Sequence, residues 1–168
     1  MEPKKFAQLC ALAAFFAGAA WLGQYLWWHF KCLGAVNTLE QQCTVPQPGM
    51  ARRQYVPEDA EQALDEAGCR GLLYLVNGLK NVKNPCAAVV ITELIGKITN
   101  PQVDGVTNPG DPPLRPPMPA SAIIKYEDQP TERDVKIRNV VSWWEDNAKQ
   151  WHQGWRVWSD HCPVPSKP

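Results

Sequence analysis

The sequence lacks net charge, lacks the common phosphate-binding and nucleophile motifs, and has few of the residues from which active sites are usually built. Lys plus Arg and Asp plus Glu number 17 each among 168 residues. No summed field therefore draws the chain to nucleic acid or to an acidic polymer. There is no Gly-x-x-x-x-Gly-Lys-Ser/Thr loop, no Gly-x-Gly-x-x-Gly and no Gly-x-Ser-x-Gly elbow. Only four serines are present, none in a nucleophile setting, and only three histidines, His29, His152 and His161. A single His29 cannot supply bis-histidine haem ligation. Asp160, His161 and Cys162 lack the Cys-x-x-Cys or His-x-x-x-His partner that a metal site requires. The reading is of a non-enzyme with no cofactor, no metal and no small-molecule substrate.

Apolar residues make up 45% of the chain, which argues against disorder throughout. The length allows one modest domain plus accessories. Phe6 to Phe30 runs for 25 residues without Asp, Glu, Lys or Arg, between Lys4 and Lys5 on one side and Lys31 on the other. A helix over that run is roughly 37 Å long, enough to cross an apolar layer of about 30 Å. Trp21, Tyr25, Trp27, Trp28 and Phe30 crowd its C-terminal end, where amphipathic rings favour a headgroup layer. A cleaved signal peptide is the competing reading, with Ala17-Gly18-Ala19 as the small-residue site. The apolar character continues for eleven residues past Ala19, which favours a retained anchor. Within the span, Ala7, Ala11, Ala14 and Gly18 form a four-three-four strip that lets a neighbouring helix approach closely.

Five of the six cysteines follow the span, as suits an oxidising space such as a periplasm or an intermembrane space. The lysine balance leans slightly towards an N-terminus inside. Gly34 to Arg53 reads as an irregular connection. Val56-Pro57-Glu58-Asp59 starts a helix that reaches Ala67, where Gly68 interrupts it. Leu72–Leu79 and Ala87–Ile98 read as two more helices. If these two form an antiparallel hairpin, Cys69 and Cys86 lie at opposite ends, beyond the reach of about 7 Å between Cα atoms that a disulfide needs. Cys43–Cys69 is then the easier pairing.

Seven prolines fall between Pro101 and Pro119, so an extended strap laid across a neighbour is expected there. A long helix follows from Thr131, which serves as cap with Asp134 three residues on. Ile137, Val141, Trp144, Ala148, Trp151, Trp155 and Trp158 form one heptad seam on it. Such a tryptophan stripe can dock in a partner's groove, cover the protein's own core or lie in a membrane surface. The even balance of charge along the segment favours a protein groove over anionic lipid.

The fold expected is mainly α: a membrane anchor over residues 1–33, a small helical region over 34–100, a proline-rich strap over 101–130 and a tryptophan-rich amphipathic helix and tail over 131–168. This plan resembles that of accessory subunits of inner-mitochondrial-membrane respiratory or ATP synthase complexes, in architecture and not by any motif. The resemblance implies a non-catalytic subunit of a large membrane complex, with its C-terminal part in the intermembrane space. Its partners would be the lipid bilayer and other subunits, met through Ala7, Ala11, Ala14, Gly18, Trp144, Trp151, Trp155 and Trp158. A secreted or membrane-tethered periplasmic binding module is the alternative.

Overall fold

The computed structural model describes residues 3–45, 55–99 and 116–151. Five α-helices account for most of them: α1 (Pro3–Gln42), α2 (Glu58–Ala67), α3 (Leu72–Asn81), α4 (Pro85–Thr99) and α5 (Pro130–Trp151). The chain is mainly helical, as its periodicity predicts, and an isolated bridge between Thr44 and Tyr55 closes the 45–55 connection.

The largest departure from the sequence reading is the length of α1. Gly34 was expected to begin an irregular connection, yet the helix runs on to Gln42. A mid-helix glycine costs about 1 kcal/mol relative to alanine. That cost is offset by Cys32, Ala35, Val36, Leu39 and Cys43, which recur at helical spacing and are all buried. One rod thus begins as an exposed apolar helix and ends as a core helix of the domain.

The other helices pack around this terminal third. At Gly68 the backbone has φ 52°, a left-handed value that suits glycine, and α2 ends there. A single 3-10 turn, Gly68–Arg70, leads directly into α3. Helix α3 runs parallel to α1 at a nearly constant offset: Tyr74 meets His29, Gly78 meets Val36, and Asn84 just beyond it meets Glu40. A Cβ at position 78 would collide with Val36 Cγ1, so the glycine is what lets α1 and α3 close up. Helix α2 runs antiparallel, its end tied to α1 by Lys31 Nζ donating to Glu66 Oε2 at 2.8 Å.

Asn84 joins two helix ends. Its Nδ2 donates to Glu40 O at 3.0 Å and Cys43 O at 2.7 Å, satisfying carbonyls that α1 leaves open. Its Oδ1 accepts from Cys86 N–H at 2.9 Å, capping α4, and Pro85 takes the first helical position. Asn84→Ala should therefore lower the unfolding free energy by about 1–2 kcal/mol. A denaturant titration with an unchanged midpoint would contradict that role.

Of the segment read as a strap, residues 101–115 lie outside the described residues. Its far end docks on α4 through two buried hydroxyls seven positions apart. Thr99 Oγ1 donates to Ile95 O at 2.8 Å and accepts from Met118 N–H at 3.2 Å. Thr92 Oγ1 donates to Ala88 O at 3.0 Å and accepts from Ile124 N–H at 3.1 Å. Met118, Ala122 and Ile124 are buried against that face.

Helix α5 begins one residue before the expected cap. Pro130 is its first residue, and Glu132 Oε2 accepts from Gln129 N–H at 3.2 Å, the back-bond of a capping box. The Thr131–Asp134 pair expected to do this already lies within the helix. Ahead of it, Asp128 Oδ2 accepts from Lys136 Nζ at 2.7 Å and Lys125 N–H at 2.8 Å. The Lys136 bond first and the Lys125 amide second hold the Asp128 carboxyl below its ordinary value. Lys31, then Gln62, lower Glu66 in the same direction. Both groups stabilise the folded state above the ordinary carboxylate range and lose that contribution as pH falls through their depressed values. Thermal stability should drop below about pH 4, and in Asp128→Asn that drop should be smaller.

Candidate functional site

From Cys10 to Trp27, α1 is left almost entirely uncovered by the rest of the described chain. Phe15 is 70% exposed, and Leu12, Phe16, Leu22, Leu26, Trp27 and Phe30 are exposed with it. Every residue from Cys10 to Gly23 is exposed, so this stretch is uncovered on all sides of the helix. A helix that is apolar all round needs an apolar environment from elsewhere. It is the one described helix long and apolar enough to cross a membrane, and it lies near the N-terminus.

Ala11, Ala14 and Gly18 of the small-residue strip are exposed. A Cβ at Gly18 would meet nothing within 4 Å. Ala7 lies on the same helix, in its first turns. Eighteen residues make five helical turns, about 27 Å of rise. Ala11 therefore points the same way as His29, Ala14 as Cys32, and Gly18 as Val36. The strip shares its azimuth with the face that the domain buries, so a helix lying along it would sit directly beneath the domain.

Where the apolar rod meets the domain there is a dense aromatic and cationic junction. Trp21, Tyr25 and His29 follow one another at ring-centroid distances of 5.9 and 6.3 Å. His29 Nδ1 lies 2.9 Å from the Tyr74 hydroxyl. Lys31 Nζ is 4.9 Å from the Trp27 ring and 5.0 Å from Trp28, while the Arg70 guanidinium lies 4.4 Å above Trp28. Burial pushes the Tyr74 phenol up to about 12, so it stays protonated. Cys32 is a free thiol that is fully buried in the core, out of reach of solvent. The junction holds and positions; it offers no activated nucleophile.

The disulfide expected between Cys43 and Cys69 is not the one formed: Cys43 pairs with Cys86, with Cα atoms 5.5 Å apart. Because α1 continues to Gln42, Cys43 is carried to the far end of the bundle, where α4 starts. Cys69 follows α2 at the junction end, near the Lys31–Glu66 pair. Twelve residues of helix separate Lys31 from Cys43, about 18 Å of rise. Cys69 is itself disulfide-bonded, and Cys10 and Cys32 are free thiols.

Trp144 and Trp151, expected at a partner interface, lie in the protein's own core, 7% and 5% exposed. Trp155, Trp158 and the trio Asp160, His161 and Cys162 lie outside the described residues. Ile137, Val141 and Ala148 of the seam are half-buried and pack against the same core. Val140 and Trp143 are buried as well, with the Trp143 ring 6.2 Å from Trp144 and 6.4 Å from Trp151. The heptad reading was too narrow. Residues 140, 143, 144 and 151 follow the broader i, i+3, i+4, i+11 face of a globular helix, and that signal was available to find Trp143.

The fold and site define a class: a disulfide-bonded helical domain built onto the end of one helix suited to a membrane. No protein-family model, curated protein or solved structure matches the chain.

Proposed function

We propose that the chain is a non-catalytic accessory subunit of a large membrane complex, with an inner-mitochondrial-membrane respiratory or ATP synthase assembly as the host class. The observation that carries this reading is the uncovered apolar rod of α1, which continues without a break into the domain's core. A lone anchor needs only hydrophobicity. This one also turns its small-residue strip to the side on which the domain sits, so a partner helix would be gripped in the bilayer and roofed by the domain. The disulfide and the bonded Cys69 favour an oxidising compartment for the domain, such as the intermembrane space.

The test is native mass spectrometry of the protein extracted in mild detergent, beside a Gly18→Leu variant. Full-length chain in a large assembly is expected for the wild type. For Gly18→Leu we expect loss of most of the bound partner with membrane insertion unchanged, because the added side chain props the helices apart. A wild-type chain recovered free and cut near Ala19 would instead favour the periplasmic module. For that reading, the open groove of about 820 Å³ between α1 and the start of α2, lined by Phe30, Thr38 and Tyr55, is the feature to test for ligands.

A further inference from the structure

We propose that the corner formed by the 3-10 turn and the first turn of α3, Arg70 to Tyr74, is a lipid-contacting surface seated in the headgroup layer. The proposal rests on reading α1 as the membrane span and adds where the domain stands relative to the bilayer. Because α1 is unbroken from Pro3 to Gln42, no linker separates span from domain, and heights can be read along one axis. Tyr74 is level with His29 through their 2.9 Å contact, and Arg70 is level with Trp28. Trp28 and His29 belong to the last turn of the uncharged run, among the aromatic residues that mark a headgroup boundary. The corner therefore stands at the level of the span's end, whereas Gly78 and Asn84 lie progressively farther up the bundle beside Val36 and Glu40.

The chemistry of the corner suits that depth. Leu73 is exposed, an apolar side chain on the first turn of α3. Tyr74, next to it, and Arg70, on the turn before it, are half-buried, each with an apolar body and a polar end. The cations Lys31 and Arg70 are accompanied by Glu66, so the occupant is the interfacial layer of an ordinary phospholipid bilayer, with no demand for anionic lipid. Continuity with the apolar surface of α1 identifies that occupant: lipid surrounding the last turn of the span also meets the corner.

The test uses the full-length, disulfide-intact protein in phosphatidylcholine nanodiscs, in a Cys10→Ala background so that the exposed thiol is removed while buried Cys32 stays unlabelled. A fluorophore is attached at Leu73→Cys, at Phe16→Cys in the span, or at Lys83→Cys beyond the far end of α3. Quenching by a headgroup nitroxide lipid, by a mid-chain nitroxide lipid and by aqueous iodide is compared. We expect the Leu73 probe to be quenched by the headgroup nitroxide at least threefold more than the Lys83 probe, and the Phe16 probe by the mid-chain nitroxide. A Leu73 probe quenched only by iodide means that the domain stands clear of the bilayer, and one shielded from all three means that protein covers the corner. Either overturns the proposal while leaving the span intact. A Phe16 probe untouched by the mid-chain nitroxide removes the span reading itself, and the proposal with it.

Discussion

Replacing Cys43 and Cys86 together by alanine is expected to lower the unfolding free energy of the domain by about 4 kcal/mol. The two residues are 43 positions apart. The loop-entropy relation assigns about 3 kcal/mol to a 15-residue loop and about 4.7 to a 100-residue loop, which places this one near 4. The position of the bond adds to its importance. It ties the end of α1 to the start of α4, beside the Asn84 bonds that join the same two ends. Its loss frees the C-terminus of the rod from the bundle. Unfolding of the detergent-solubilised protein by guanidinium, followed by circular dichroism, measures the effect. Cys10→Ala serves as the control and should leave the midpoint unchanged. A double variant within about 1 kcal/mol of wild type would mean that the packing of Leu39 and Val36, with the Asn84 bonds, fixes the end of α1 without the disulfide.

A similar loss, about 3–5 kcal/mol, is expected for Trp144→Ala. The ring lies in the core with Val140, Trp143 and Trp151, and the stretch 130–151 joins the bundle largely through them. Removal leaves a cavity that a close-packed interior closes only in part. The consequence is a destabilised domain, not a folded subunit that has merely lost a partner contact. Trp27 provides the contrast. It is 54% exposed on the uncovered part of α1, and Trp27→Ala should leave the domain's stability within about 0.5 kcal/mol. Equal effects of the two substitutions would show that the α5 tryptophans are not a structural core.

The helices were legible in the sequence wherever a local signal closed them. Pro57 with Glu58 and Asp59 opens α2 and Gly68 ends it; the apolar period marks α4 from Ala87 through Ile98, although the helix starts two residues earlier, at Pro85. Two features were misread because their causes are tertiary. Gly34 looks like a breaker, since the residues that outweigh it, Val36 and Leu39, gain their value only in the core formed with the other helices. The pairing of Cys43 depended on where α1 ended, so one misplaced helix terminus misassigned the disulfide. The docking of Met118 and Ile124 onto Thr99 and Thr92 had no signal at all. Mid-helix threonines usually bond their own backbone, and nothing in their spacing shows that a second chain segment uses the other side of each hydroxyl. The tryptophan seam is legible in the sequence, but what it faces is not: periodicity identifies an apolar face without naming what covers it.

The unbroken α1 also fixes a phase relation. Each residue inserted between Gly18 and Cys32 would turn the domain by about 100° about the span and raise it by about 1.5 Å. One insertion would swing the domain off the side on which the small-residue strip lies, and two would carry it nearly to the opposite side. Eighteen would restore the azimuth but set the domain about 27 Å higher. The number of residues in the rod is thus itself a specification, one that holds the bearing of the domain over the strip even where the individual side chains between them change.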